Sequence, residues 1–403
     1  MSTEQHVIVG AGHAARRAAE TLRARDADAR IVVIGAEPHA PYDRPVLSKD
    51  ALLADDGACK AFVREPGWYA AQRIELRLAT TVTGVDRARR NVRLHDGSEI
   101  RYDRLLLATG SRVRKFDAPV PLHYLRTLDD ARTLRAALAP GKVVAVLGGG
   151  FIGLEAAAAA TQANCRVTVI EPAPALLQRS LPSAAARFVA ALHQRHGVEL
   201  RLGTRPVGIR HDDGGRAMIE TDDGETLTAD VVIAGIGVIP NVELARDAGL
   251  DVDNGIVVDA QCRTADPAIF AAGEVTAHFN PLLARRVRIE SWQVAENQPV
   301  IAAENMLGGS REYAEMPWLW SDQYDCNIQT LGVVDAAHRI VTRGDAESAP
   351  FCMMALDDGG RLRGVVAIDA GREIGACKRL IAAGHTLDPA VLADPTMPLR
   401  SML

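Results

Sequence analysis

The chain has 403 residues, about twice what one hydrophobic core usually organises, so two or three domains are expected. Hydrophobic residues make up 48% and charged residues 24%, proportions that exclude disordered and fibrous classes. A formal net charge of -5 argues against nucleic acid as a partner, because phosphate binding normally shows as a basic excess.

The amino terminus runs from MSTEQ straight into an apolar stretch, with no pattern of a signal peptide. No run approaches the roughly 20 apolar residues that span a bilayer. No membrane association is expected, and the expected location is the cytoplasm. Cys59, Cys165, Cys262, Cys326, Cys352 and Cys377 show neither a CxxC pair nor a metal-ligand spacing, so they are read as reduced and unpaired, and no metal site is expected.

His6 to Gly10 is predicted as a short strand, followed by the glycine turn of GAGHAA and a helix from Ala14 to Arg25. Ile31 to Ile34 is the next strand, and Glu37 stands just past it. PHAPYDRPVLSK, Pro38 to Lys49, carries three prolines and little periodicity, which predicts a shaped loop. RLLLATGS, from Arg104, is a buried strand ending in a turn.

From Val143 the same unit is repeated. A strand to Leu147 leads into Gly148, Gly150 and Gly153, then a helix over Leu154 to Ala163, then a strand from Arg166 to Ile170 ending at Glu171. Asp230 to Ile236, followed by GVIPN, and Ala268 to Ala272, followed by Gly273 and Glu274, are further strands. From Glu315 the pattern changes to antiparallel strands with glycine and aspartate turns, then helices.

A helix amino terminus offers free N–H groups and partial positive charge to a pyrophosphate, and glycine lets that backbone approach closely. One such turn is weak evidence, since strand-glycine-helix turns also arise for packing reasons. Two copies, each followed by an acid near the end of the next strand, predict two bound dinucleotides. In the first copy Ala15 fills the third glycine position. A nicotinamide cofactor needs a resident redox carrier to meet, and a flavin can accept a hydride and release electrons singly. Glu171 favours a free ribose 2′-hydroxyl and repels a 2′-phosphate, so NADH is preferred over NADPH.

The set GAGHAA, PYDRPVLSK, ATGS, GGGFIGLE, GIGVIPN, FAAGEV, RIESWQVAENQ and PWLWSDQ resembles the FAD-dependent NADH:ferredoxin reductases of bacterial oxygenase systems, within the glutathione-reductase-like flavoproteins. The resemblance covers nearly the whole chain in order. It implies an α/β protein with two Rossmann-like dinucleotide-binding domains, for FAD and NADH, and a smaller carboxy-terminal α+β interface domain. The implied boundaries are 1–111 and 236–314 for the FAD domain, 112–235 for the NADH domain, and 315–403 for the interface domain. It further implies transfer of electrons from NADH through tightly bound FAD to a two-iron ferredoxin, which supplies a ring-hydroxylating dioxygenase or a cytochrome monooxygenase. Monomer and homodimer both remain open.

By this resemblance Gly10, Gly12 and Ala14 face the FAD pyrophosphate and Glu37 its adenosine ribose, with Arg44, Val82 and Arg126 at further FAD contacts. Lys49 lies near the flavin ring and pairs with Glu155, and these two are the expected catalytic residues. Glu274 stands where the family usually has aspartate on the ribityl chain. Trp292 falls at the pyrimidine end of the flavin, and Trp320 covers part of its ring. Gly148, Gly150, Ile152, Gly153, Glu171 and Gly237 contact NADH. The bland alternatives are a loop lysine, a glutamate matched to a helix dipole, and tryptophans that only fill the core. The eleven histidines are read as structural or solvent-facing. RARRNVR and RRVR are read as solvated charge, with a ferredoxin dock at the second run as the alternative.

Disulfide reductases of this superfamily carry redox cysteines in the flavin loop, and PYDRPVLSKD has none. The competing functions are a rubredoxin reductase, an NADH oxidase, and a redox-sensing interaction protein.

Overall fold

The computed structural model describes residues 4–65, 67–335 and 337–403. The chain divides into two compact units. One comprises Met1–Pro45, Cys59–Arg112 and Val238–Met316, and the other Val46–Ala58, Val113–Gly237 and Pro317–Leu403.

The first unit is built on a five-stranded parallel sheet in the order Ile269–Ala271, Arg104–Leu107, Gln5–Val9, Arg30–Ile34, Ile74–Arg77. Val7 pairs with Val32 on one side and with Leu105 on the other. The strands are apolar on both faces because both faces are covered. Ile8, Val33 and Leu106 point into a core with Leu22 and Met306, while Val7, Val9, Val32 and Leu107 point into a second core with Ile269. Leu22 is fully buried, and withdrawing such a side chain from water contributes about 1.5–3 kcal/mol. Helix His13–Arg25 packs against helix Trp292–Met306. Two three-stranded sheets complete the unit: antiparallel Val82–Asp86, Asn91–Leu94 and Glu99–Arg101, and a mixed sheet of Ile256–Val258, Thr276–Asn280 and Arg285–Val287.

The second unit repeats the parallel theme with four strands, in the order Glu199–Leu202, Arg166–Glu171, Val143–Leu147, Val231–Ala234. Its crossover helix, Phe151–Gln162, is rich in alanine, and Ala156 to Ala160 are all buried, so the small side chains let it lie close to its sheet. A five-stranded antiparallel sheet follows, ordered Trp318–Gln323, Cys326–Gly332, Leu362–Ile368, Ser348–Leu356, Arg339–Asp345, with helix Gly371–Ala383 against it.

The strands, glycine turns and antiparallel carboxy-terminal sheet expected from sequence are present, while the edge strands Ile74–Arg77 and Glu199–Leu202 and the sheet of Val82–Asp86, Asn91–Leu94 and Glu99–Arg101 were not expected. Helix starts differ. The second crossover helix begins at Phe151, three residues before the predicted start, because Gly153 lies inside the helix and not ahead of it. Within the loop Pro38 to Lys49 a single 3₁₀ turn forms at Arg44–Val46.

Candidate functional site

Three glycine positions in each turn separate into two physical kinds. Gly10 has φ +115°, and a Cβ there would meet the Ala108 carbonyl oxygen at 2.1 Å. Gly148 has φ +104°, and its Cβ would meet the Gly235 carbonyl oxygen at 2.5 Å. A Cβ on Gly153 would sit 2.2 Å from the Gly148 carbonyl oxygen. The fold itself requires these three.

Gly12 and Gly150 are different. Both are helix N-caps in extended backbone that any residue can adopt, with φ of -91° and -84°. A Cβ at Gly12 would have only the Arg44 guanidinium, at 4.0 Å, and one at Gly150 would have nothing within 4 Å. Among the described residues no atom accounts for the glycine at either position. A ligand that presses against the helix end does, which is the fit expected of a dinucleotide pyrophosphate. Gly237, at φ +98°, also faces open space, and Ile152 is an exposed apolar residue at the start of its helix.

Near the first turn, Glu37 accepts hydrogen bonds from the Tyr42 hydroxyl and, at 2.8 Å, from Arg44. The Arg44 guanidinium lies 5.2 Å from the centre of the Tyr42 ring and within the electrostatic reach of Glu274. Gly12, Glu37, Arg44 and Glu274 are thus gathered in one neighbourhood. Ala14 is buried in the helix's first turn, where a Cβ on Gly273 would approach it to 3.1 Å. Val82 opens its antiparallel strand and is buried. Trp292 begins its helix, with Ser291 as cap, and its ring lies 5.3 Å from that of His13.

The sequence reading missed a buried ionic cluster here. His13 is bonded through its two ring nitrogens to Asp43 and, at 2.5 Å, to Glu296. Arg16 donates to Glu20 at 2.9 Å and to Glu296 at 2.8 Å, and Arg64 reaches Glu20 at 2.7 Å. Burial disfavours the His13 charge, but Asp43 and Glu296 outweigh it and raise the imidazole above its ordinary value. Burial likewise opposes ionisation of Glu20 and Glu296; Arg64 and Arg16 hold the Glu20 carboxyl below the usual range, and His13, Arg16 and Arg17 hold that of Glu296. The signal available in sequence was the helical spacing of His13, Arg16 and Glu20; Glu296 lies nearly the whole unit away along the chain.

In the second turn, Glu171 is bound by main chain. It accepts from the Gly149 N–H at 2.6 Å and from the Ala173 N–H at 2.7 Å. Its carboxylate is therefore fixed at the end of its strand, beside the open glycine turn.

Also in the second unit, Lys49 Nζ lies 3.6 Å from Glu155 Oε1 and 3.2 Å from Asp322. Glu155 is 5% exposed. Ser48 donates to its Oε2, and Ser321 donates to its Oε1 at 2.6 Å. Burial pushes the Glu155 carboxyl up, with Lys49 and the two serines opposing. The ammonium of Lys49 stands 5.4 Å from the centre of the Trp320 ring, which stacks on Trp318. Ser48 and Ser321 were not singled out from sequence, although each adjoins or lies within a motif that was. Arg126 precedes helix Leu128–Ala137, and its backbone N–H donates to Asp130 in the helix's capping box.

All six cysteines are free, and among the described residues no cluster of His, Cys, Asp or Glu has the arrangement of a metal site. No helix among the described residues is long and apolar enough to cross a membrane.

Comparison with known proteins extends this picture over the whole chain. Residues 4–298 match the family model described as pyridine nucleotide-disulphide oxidoreductase, and residues 318–403 match the reductase C-terminal model. The anthranilate 1,2-dioxygenase system ferredoxin–NAD(+) reductase component of Burkholderia cepacia is 61% identical over 407 residues, covering 100% of both chains. Putidaredoxin reductase of Pseudomonas putida is 37% identical, with 98% of this chain and 96% of that one covered. Among solved structures, the covalent putidaredoxin reductase–putidaredoxin complex superimposes with a TM-score of 0.94 at 36% identity, over 100% of this chain and 98% of that one. With two nucleotide-type glycine turns and family matches from end to end, this chain belongs to the pyridine nucleotide-disulphide oxidoreductase family.

Proposed function

We propose that this protein is the flavoprotein reductase of a bacterial oxygenase system, moving electrons from NADH through tightly bound FAD to a two-iron ferredoxin. That ferredoxin supplies a ring-hydroxylating dioxygenase or a cytochrome monooxygenase. The observation that carries this proposal is the pair of N-cap glycines, Gly12 and Gly150, beside which no atom of the described residues comes closer than the Arg44 guanidinium at 4.0 Å from a Cβ on Gly12. The full-length likeness to an oxygenase-system reductase supports the choice of acceptor.

Gly10, Gly12 and Ala14 would hold the FAD pyrophosphate at the helix end, and Glu37 the adenosine ribose. Arg44, Lys49, Val82, Arg126, Glu274, Trp292 and Trp320 are assigned to the remainder of the flavin. When bound, FAD supplies the exchange between two-electron hydride chemistry and single-electron transfer. Gly148, Gly150, Ile152, Gly153, Glu171 and Gly237 are assigned to NADH, with Glu171 selecting it over NADPH. Lys49 contributes positive charge, and Glu155 keeps that charge anchored. The proposed domains are 1–111 with 236–314 for FAD, 112–235 for NADH, and 315–403 as the interface domain. The free cysteines support a cytoplasmic location. The assembly is a monomer or a homodimer.

The test is NADH-driven cytochrome reduction with a panel of two-iron ferredoxins. An oxygenase-system ferredoxin should raise turnover at least about tenfold, a change of ~1.4 kcal/mol in the barrier. Rapid NADH consumption with oxygen alone, unaltered by any ferredoxin, would overturn the proposal in favour of an NADH oxidase, and stimulation by rubredoxin alone in favour of a rubredoxin reductase.

A further inference from the structure

Glu155 is reached by more than its immediate neighbours. His193, on helix Ser183–Arg195, is fully buried, and its Nε2 lies 2.9 Å from the Gln323 side-chain carbonyl oxygen. Gln323 donates from Nε2 to Ser321 Oγ at 3.1 Å, and Ser321 donates to Glu155 Oε1. At the far end, the Tyr324 hydroxyl lies 3.2 Å from His193 Nδ1.

The orientation of the Gln323 amide sets the directions of these bonds. The carbonyl oxygen of Gln323 can only accept, so His193 Nε2 carries the proton. Burial lowers the imidazole below its ordinary value, the Gln323 bond opposing this and His196 adding to it, which favours a neutral ring whose Nδ1 accepts. Burial pushes the Tyr324 phenol up to about 12, which leaves it a donor. Every bond therefore points the same way, from Tyr324 through His193, Gln323 and Ser321 to a carboxylate oxygen. Tyr324 sits at φ +57° in the two-residue turn between strands Trp318–Gln323 and Cys326–Gly332, a left-handed conformation that is unfavourable for a non-glycine residue.

We propose that His193 is a positioning residue, which through Gln323 and Ser321 fixes the Glu155 carboxylate in the orientation that faces Lys49. This rests on the function proposed for Lys49 and Glu155. The charged groups facing Glu155 are Lys49 and Asp322, and the titratable groups around His193 are Tyr324 and His196, whose ring stacks on that of Tyr324 with centroids 3.6 Å apart. A histidine that only fills the core would share the burial of His193. It would have no effect on the ionisation of a carboxylate three hydrogen bonds away.

Two measurements on the FAD-loaded protein test this. In histidine-labelled ¹⁵N NMR, the resonance missing from His193→Gln identifies His193. It should show the neutral Nε2–H tautomer, without titrating between about pH 6 and 8. In stopped flow, His193→Leu and Gln323→Leu should move the acid limb of NADH-driven flavin reduction upward by about half to one pH unit, the effect of one weakened hydrogen bond. His193→Gln places a donor where Nε2 stands and should restore the limb. Tyr324→Phe, the mildest change, should give a smaller shift in the same direction and serves if a leucine variant fails to fold. An Nδ1–H tautomer, or an unmoved limb in folded, FAD-replete variants, overturns the proposal. If the wild type is not reduced by NADH at any pH, the proposed function fails, and the tautomer alone then decides the role of His193.

Discussion

The two glycine turns are copies of one backbone design set in different surroundings. Where the first has His13 after its N-cap glycine, the second has Phe151; where the first has buried Ala14, the second has exposed Ile152. The first helix carries ionic side chains inward to meet Glu296, whereas the second is lined with alanine and leaves its outer end open. The acids differ as well. Glu37 is held by two side chains, Tyr42 and Arg44, and Glu171 by two backbone N–H groups. A turn tied into its unit by buried charge suits a cofactor that stays, and an open one suits a nucleotide that comes and goes.

The two turns should differ most at their glycines. Gly10→Ala should destabilise the first unit by about 2–4 kcal/mol, because it combines a left-handed backbone with a backbone collision. Thermal melting checks this. Gly12→Ala should leave melting of the FAD-free protein within about 1 kcal/mol of wild type. It should still weaken FAD binding about a hundredfold by titration, the loss of close approach to a helix end. Equal effects of both substitutions on stability would mean that Gly12 is also a packing glycine.

Next in size is the ionic cluster that only the first turn possesses. The His13 imidazole is raised above its ordinary value in the folded protein, so its contribution is complete below the unfolded value and declines as pH rises through the folded one. Wild type should therefore exceed His13→Gln by on the order of 2 kcal/mol near pH 6, and the gap should narrow as pH rises above the ordinary imidazole range. Melting curves across that range check the sign, and a gap that widens with pH would contradict it. The smallest effect concerns the second turn. Glu171→Ala should reduce the preference for NADH over NADPH about tenfold in steady-state kcat/KM, the worth of one charge-assisted hydrogen bond.

Much of the fold was legible because it rests on short-range pattern. Continuous apolar runs at Val7 and Val143, glycines at fixed offsets and acids at the next strand's end all act within about 30 residues. The proximity of Lys49 and Glu155 was suggested only by the family resemblance, since a loop lysine and a helix glutamate have no periodic signal. The rest was hidden by distance along the chain. Arg16, Arg17 and Glu20 look like the solvated face of a helix until helix Trp292–Met306 covers them with Glu296. His193 and Gln323 come from a helix and a strand more than a hundred residues apart, and hydrogen bonding between them leaves no mark on composition or spacing.

The two main-chain bonds to Glu171 also bear on time. Each carboxylate oxygen has a second acceptor site, so a ribose diol would meet an acceptor already oriented and already stripped of rotamer freedom. If the two nicotinamide nucleotides compete at this turn, both would meet the same preset acceptor. Discrimination would be expressed in how long each nucleotide stays, and the association rates of the two would remain close.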